Sequence, residues 1–215
     1  MSDRIVIQHP HVNDAWLGKL REEVLEPDLP ICDAHHHLWD RAMGPYQLPQ
    51  LAADMGTGHN IVSTVFIQCG YAYRSDGPDH LKPVGETERV VAIAEQSDNE
   101  GVCAGIVGYC DFRQHGLVDA VLEAHILAGK SRFRGIRQSA GWDAAVALGT
   151  ATPAPKGLLL DEDFRKGVAR LHKYGLTYEC SLYFPQLVEL AEVARLNPEL
   201  PVLANHCTGF IGVGP

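Results

Sequence analysis

The stretch Asp33-Ala34-His35-His36-His37-Leu38-Trp39-Asp40 decides how the rest of the chain is read. It follows the apolar lead-in Ile31-Cys32 and runs from a strand-like segment into a loop. In an extended strand alternate side chains share a face. His35 and His37 therefore point together, with Cβ atoms roughly 6.5–7 Å apart. The same parity adds Ile31 and Asp33 to that face and leaves Cys32, Ala34, His36 and Leu38 on the other, where a packing role is expected for His36. Two same-face imidazoles at a strand end can hold one substrate oxygen, or one zinc ion at about 2.0–2.1 Å from each nitrogen.

Outward from this strand the pattern alternates. Strand-like runs cover residues 31–36, 61–69, 102–109, 133–137, 177–181 and 201–206, and helical patterns cover 86–96, 117–128, 161–174 and 185–196. Repeated strand–helix units imply parallel strands joined by right-handed crossovers. The links from helix to strand are short. Those from strand to helix, over 39–60, 70–85 and 138–160, are long and carry Gly, Pro and aromatic residues. A packed scaffold with one elaborated face is how a (β/α)8 TIM barrel builds an active site at the C-terminal ends of its strands. A doubly wound sheet would favour a glycine-rich phosphate loop after its first strand, where this chain has histidines. The fold class expected is α/β, of the (β/α)8 TIM-barrel type. Residues 1–30 read as an N-terminal extension with a short helix near 13–24, and 31–215 read as an incomplete barrel. Only about six of the eight units that such a barrel needs are found, so the chain is expected to be either a fragment of a longer protein or the product of a truncated gene.

Composition narrows the function. A net charge of −9 argues against a nucleic-acid partner, which would favour a basic face. No apolar run approaches the roughly 20 residues of a membrane span, and the N-terminus lacks a signal-peptide core, so a cytoplasmic protein with a small-molecule substrate and no membrane partner is expected. The six cysteines include no Cys-x-x-Cys pair and fall in apolar runs. They read as small buried hydrophobes in a reducing compartment, with a catalytic thiol left open. Oligomeric state is not legible.

His206, in Ala204-Asn205-His206-Cys207-Thr208-Gly209, stands at the end of the sixth strand-like run, and a barrel would bring it to the same rim as His35 and His37. Three imidazoles there make a candidate mononuclear metal site, since catalytic zinc usually takes three protein ligands and keeps one position open. These motifs resemble the amidohydrolase-related (amidohydrolase 2) TIM-barrel hydrolases, and within them the lactonase branch that contains L-fuconolactonase and pyrone-dicarboxylate lactonase. The resemblance rests on Asp33-x-His35-x-His37-x-Trp39 and on Asn205-His206-Cys207 followed by Gly209. Gly85-Glu86-Thr87 and Arg134-Gly135-Ile136-Arg137-Gln138 add weaker support.

The resemblance implies a metal-dependent hydrolase in which His35, His37 and His206 are catalytic and hold a divalent metal, zinc or manganese. It equally allows a metal-independent lactonase in which the histidines polarise the carbonyl directly. Neither a lysine nor a glutamate ends the fourth strand, so a binuclear centre is not expected. The aspartate that closes the eighth strand in that family has no counterpart here, which makes the chain alone a candidate inactive fragment. A non-oxidative decarboxylase of the same superfamily is the alternative activity. Arg137 is a candidate substrate-binding residue because a guanidinium offers a planar fork to a carboxylate. Trp39, Tyr183 and Glu86 are the other candidate substrate-binding residues, although Glu86 also suits a helix start. Tyr71, Tyr73 and Trp142 lie on the same long loops, and His125 is expected at the surface.

Overall fold

The computed structural model describes residues 5–6, 13–41, 44–147 and 154–209. Each of the six apolar runs forms a strand: β1 (Pro30–His36), β2 (Asn60–Ile67), β3 (Gly105–Gly108), β4 (Phe133–Arg137), β5 (Thr177–Cys180) and β6 (Val202–Ala204). All five pairings are parallel, and the strands lie side by side in chain order with no reversal. A doubly wound sheet must reverse direction at a switch point, so strictly sequential order is the barrel's topology.

Curvature follows from one distance. Laid flat, six strands would put β1 and β6 five spacings apart, about 24 Å at 4.8 Å each. The rings of His35, on β1, and His206, just after β6, have centroids 4.7 Å apart. The sheet therefore curls until its two edges face each other across the mouth. Among the described residues β1 and β6 remain edge strands, each with one neighbour. Two small pairs lie outside the barrel sheet. Ile5–Val6 runs parallel to Val146–Ala147, and Trp39–Arg41 runs antiparallel to Gly44–Tyr46.

Five helices connect the strands: α1 (Leu48–Met55), α2 (Val84–Ala94), α3 (Val118–Gly129), α4 (Glu162–Val168) and α5 (Leu187–Leu196). The core lies between them and the sheet. Phe66, Ile106, Ile136 and Tyr178 leave the strands and meet Val90, Leu122, Phe164 and Val193 in one buried cluster. Phe112, Phe164 and Tyr178 pack edge to face, with centroids 5.6–6.0 Å apart. Such pairs add about 0.5–1.5 kcal/mol each beyond their burial.

Several sequence expectations need adjustment. The connection over 39–60 contains α1, with Pro49 in its first turn and Gln50 Oε1 accepting from the Gln47 amide at 2.9 Å. The run at 102–109 is a strand only from Gly105, because Cys103 adopts φ +48° in the preceding turn. The helix at 161–174 stops at Val168 and resumes as a 3₁₀ turn, Leu171–Tyr174, closed by Gly175 at φ +65°. Near the N-terminus the helix is one turn, Asp14–Leu17. His125 is fully buried rather than at the surface. It follows Val118, Val121 and Leu122 on the inner face of α3, its Nδ1 lies 2.8 Å from Thr87 Oγ1, and its Nε2 lies 3.0 Å from the Tyr109 carbonyl. Cys69, Cys103, Cys110 and Cys180 are buried or half-buried, and desolvation pushes the first two and Cys180 up to about 12, so they stay protonated thiols. Cys32 and Cys207 are exposed, the former because β1 is an edge strand.

The Arg134-Gly135-Ile136-Arg137 run has a steric reason for its glycine. A Cβ on Gly135 would stand 2.0 Å from Thr177 Oγ1 and 2.7 Å from the Thr177 carbonyl, its register partner on β5. Gly135→Ala should therefore pry β4 from β5, costing about 2 kcal/mol or more. A thermal melt should show a midpoint lowered by roughly 4–8 °C. An unchanged midpoint would contradict the packing described.

Candidate active site at the barrel mouth

Strand parity places each candidate side chain. His35 leaves the inner face of β1 and His37 follows just beyond the strand's end, and their rings meet edge to face with centroids 5.0 Å apart. His37 Nδ1 lies 2.6 Å from the carbonyl oxygen of Ile67. A carbonyl only accepts, so Nδ1 carries the proton and Nε2 is left as an acceptor. His206 reaches the same place from a strained turn. His206, Cys207 and Thr208 are three consecutive non-glycine residues with φ of +56°, +51° and +62°. Each such conformation costs on the order of 1–3 kcal/mol and persists only where its surroundings impose it.

Arg137 ends β4 and is almost wholly buried. Its Nη2 donates to the Gln68 carbonyl, and its Nη1 stands 3.5 Å from His35 Nε2. The guanidinium is thus pinned against the histidines from below. Burial, then the charge of Arg137, lowers His35 to about 4 and His37 to about 3. Both rings are neutral at any pH near 7.

The sequence reading did not single out Glu179 or Gln68, and it named Asn205 only as part of the motif around His206. Glu179 lies on β5 in register with Arg137, and its Oε2 accepts from Asn205 Nδ2 at 2.9 Å. Gln68 Nε2 approaches the Arg137 carbonyl at 3.4 Å. A usable signal for Glu179 was present. Tyr178 faces the helices, so its neighbour must face the barrel interior.

The structure therefore brings together His35, His37, His206 and Arg137. Glu86 lies behind them. It is only 1% exposed, and its Oε1 accepts from the amides of Cys69 and Tyr71 at 2.9 and 2.8 Å, which shapes the loop after β2. Trp39 stacks on Tyr46 at 5.1 Å with the Arg41 guanidinium near its ring, packing the β1 loop. Tyr183 is buried beside Gly209, and its hydroxyl has no hydrogen-bond partner among the described residues.

Zinc would need nitrogens about 2.0–2.1 Å from a common point. The ring spacings alone would permit that. The fit fails on charge at His35, because the Arg137 guanidinium stands 3.5 Å from its Nε2 and a cation held on that nitrogen would meet a like charge. Among the described residues no group of three or more His, Cys, Asp or Glu side chains is arranged to hold a metal ion. Nor does any described helix have the length and apolarity to cross a membrane.

No family model matches the sequence. The chain is 31% identical over 210 residues to an uncharacterized protein, y4mH, of Sinorhizobium fredii, across 87% of this chain and 65% of that one. Among solved structures it is similar to an amidohydrolase from Burkholderia multivorans with bound zinc (TM-score 0.57, 20% identity, 80% of this chain and 55% of that chain). It is also similar to Amidohydrolase 2 from Bifidobacterium longum subsp. infantis (0.50, 18%, 81% and 60%). A third likeness is to a probable 2-pyrone-4,6-dicarboxylic acid hydrolase of Acinetobacter baumannii with citric acid bound (0.50, 12%, 80% and 56%). The chain spans slightly under two thirds of its curated relative and rather more than half of these solved chains. It has the fold of the amidohydrolase-type β/α barrels.

Glu86 supplies a pH-dependent handle on this architecture. Burial raises its pKa from 4.5 to about 7, against the pull of its two amide donors and Arg137. A carboxyl raised on folding adds stability below its unfolded pKa and loses it as pH climbs through the folded value. Glu86→Gln keeps an acceptor for both amides and removes the ionisation. Between pH 5 and 9 the wild type should lose about 2–3 kcal/mol relative to the variant, measured by urea denaturation at each pH. Parallel pH dependences would show that Glu86 does not ionise in a buried setting.

Proposed function

We propose that this chain carries the histidine-and-arginine part of a hydrolase of the amidohydrolase-related family. Its substrate class is a lactone, or a related carbonyl bond, of a small carboxylate- or sugar-derived metabolite. The observation that carries this reading is the guanidinium of Arg137, fixed by the Gln68 carbonyl and set against the His35 imidazole at the barrel mouth. The fold shared with amidohydrolases, one of them a probable 2-pyrone-4,6-dicarboxylic acid hydrolase, supports it.

The chemistry runs through this chain's own groups. Arg137 has its Nε without a partner among the described residues and its charge shielded from water. Such a cation binds a substrate carboxylate or carbonyl oxygen in a fixed direction. His37 offers Nε2 as an acceptor that can orient the attacking water. His35 and His206 wall the opposite side and hold the ring in place. Water adds to the carbonyl carbon, the oxygen so charged rests near the guanidinium, and collapse breaks the ring C–O bond to give a hydroxy acid. Because the histidine set does not suit a cation beside Arg137, no step here is assigned to a metal.

Assay of a panel of five- and six-membered lactones, with and without a carboxylate substituent, tests the proposal. The wild type should open the carboxylated members to hydroxy acids without releasing CO2. Arg137→Ala should lower kcat/KM on those members by about 10- to 100-fold, with a smaller loss on neutral ones. Exhaustive dialysis against a chelator should leave turnover unchanged. Release of CO2 would favour a decarboxylase, and loss of turnover restored by zinc would return a metal to the histidines.

A further inference from the structure

The barrel interior holds a carboxylate that the reading above does not use. Glu179 is 6% exposed and faces inward beside Arg137 on the next strand. Its Oε2 is fixed by Asn205, the residue preceding His206, while no described residue bonds Oε1. Asn205 Oδ1 and Arg137 Nε, on either side of it, are buried without partners among the described residues. Unsatisfied buried polar atoms of this kind call for an explanation. Gathered around one carboxylate at a strand end, they point to a ligand.

From this placement we propose that Glu179 is the general base of the site, taking the proton of the attacking water through Oε1. The inference rests on the hydrolytic reading. As the water oxygen bonds to the carbonyl carbon, its proton passes to Glu179 and the π pair moves to the carbonyl oxygen beside Arg137. On collapse the ring C–O bond breaks, and the leaving alkoxide takes the proton back from Glu179. Atoms and charge balance, with one water consumed and the carboxylate regenerated.

Competing bases are already engaged. His35 Nε2 faces the Arg137 guanidinium at 3.5 Å and His37 Nδ1 is held by the Ile67 carbonyl at 2.6 Å, which leaves the free carboxylate oxygen to Glu179. Burial raises its pKa, while Asn205 and the charge of Arg137 hold it down in part. The charged group acting on it is Arg137 on β4, beyond which lie His35 and Glu86, while Asn205 leads into His206 in the turn after β6.

The test uses the purified protein, a carboxylated lactone and a pH–rate profile. Glu179→Gln keeps an oxygen for Asn205 to donate to, so it should fold as the wild type does by circular dichroism. It should lower kcat by about 100-fold or more with KM little changed, and the acid limb of the wild-type profile should vanish. Glu179→Asp should recover part of the rate. Asn205→Ala removes a donor that favours the ionised form, so its acid limb should move to higher pH. This second variant decides the matter should Glu179→Gln fail to fold. A Glu179→Gln enzyme with wild-type kcat, or an acid limb unmoved in Asn205→Ala, overturns the assignment while leaving the hydrolytic reading intact. A wild type that opens no lactone sinks that reading, and this assignment with it.

Discussion

The approach of His35 to His206 is the contact on which the rest of the structure depends. These residues are 171 positions apart in the chain. Nothing local brings them together, because they lie at opposite edges of a six-stranded sheet. Their meeting requires that every intervening strand keep its parallel register and its share of the twist. Each helix fills the space behind its own strand pair, and the aromatic cluster of Phe112, Phe164 and Tyr178 holds β5 against that layer. The site is thus a readout of the whole sheet's curvature. A small loss of register anywhere in it would separate the imidazoles.

Charge arrangement at the mouth follows from the same geometry. Burial, then one buried guanidinium, depresses two imidazoles, and a carboxylate one strand away offsets part of the cost of that guanidinium. Burying a cation without partners would be prohibitive. Here the Gln68 carbonyl supplies a direct acceptor, and Glu179 and Glu86 add favourable field without closing an ion pair on the guanidinium. The arginine therefore keeps one edge uncommitted. That division between fixed and free hydrogen-bonding atoms is what a binding site needs and a purely structural ion pair lacks.

Much of this was legible in the sequence, and the parts that were not share a physical cause. The six strands announced themselves as apolar runs bounded by turn residues, and the shared parity of His35 and His37 brought their rings together, although a register shift between Asp33 and His36 breaks the alternation before them. The lopsided connections pointed to the barrel topology that the sequential parallel order shows. Helix α1 went unseen because eight residues containing a proline carry too little periodicity to stand out from a loop. His125 was assigned to the surface because a lone polar residue on an apolar helix face is recognisable as buried only when its partners, Thr87 and the Tyr109 carbonyl, are in view. Glu179 was missed for a similar reason. Alternation beside Tyr178 gives its inward direction, but its register with Arg137, a lateral relation between residues 42 positions apart, is encoded by no local pattern. The weak Gly85-Glu86-Thr87 motif proved to be three packing roles in a row. A Cβ at Gly85 would strike the backbone of Arg74 at 2.6 Å, Glu86 shapes the next loop, and Thr87 holds His125.

The most direct test of the account is the distance between the two imidazoles at the sheet's edges. In protein with isotope-labelled histidine, assigned by single His→Gln variants, the ring protons of His35 and His206 should show a nuclear Overhauser cross-peak, as centroids 4.7 Å apart demand. A cross-peak between His35 and His37 serves as the internal control. Assigned rings that give the control peak and no contact between His35 and His206 would mean that the sheet does not curl far enough, and the proposed site would have no common mouth.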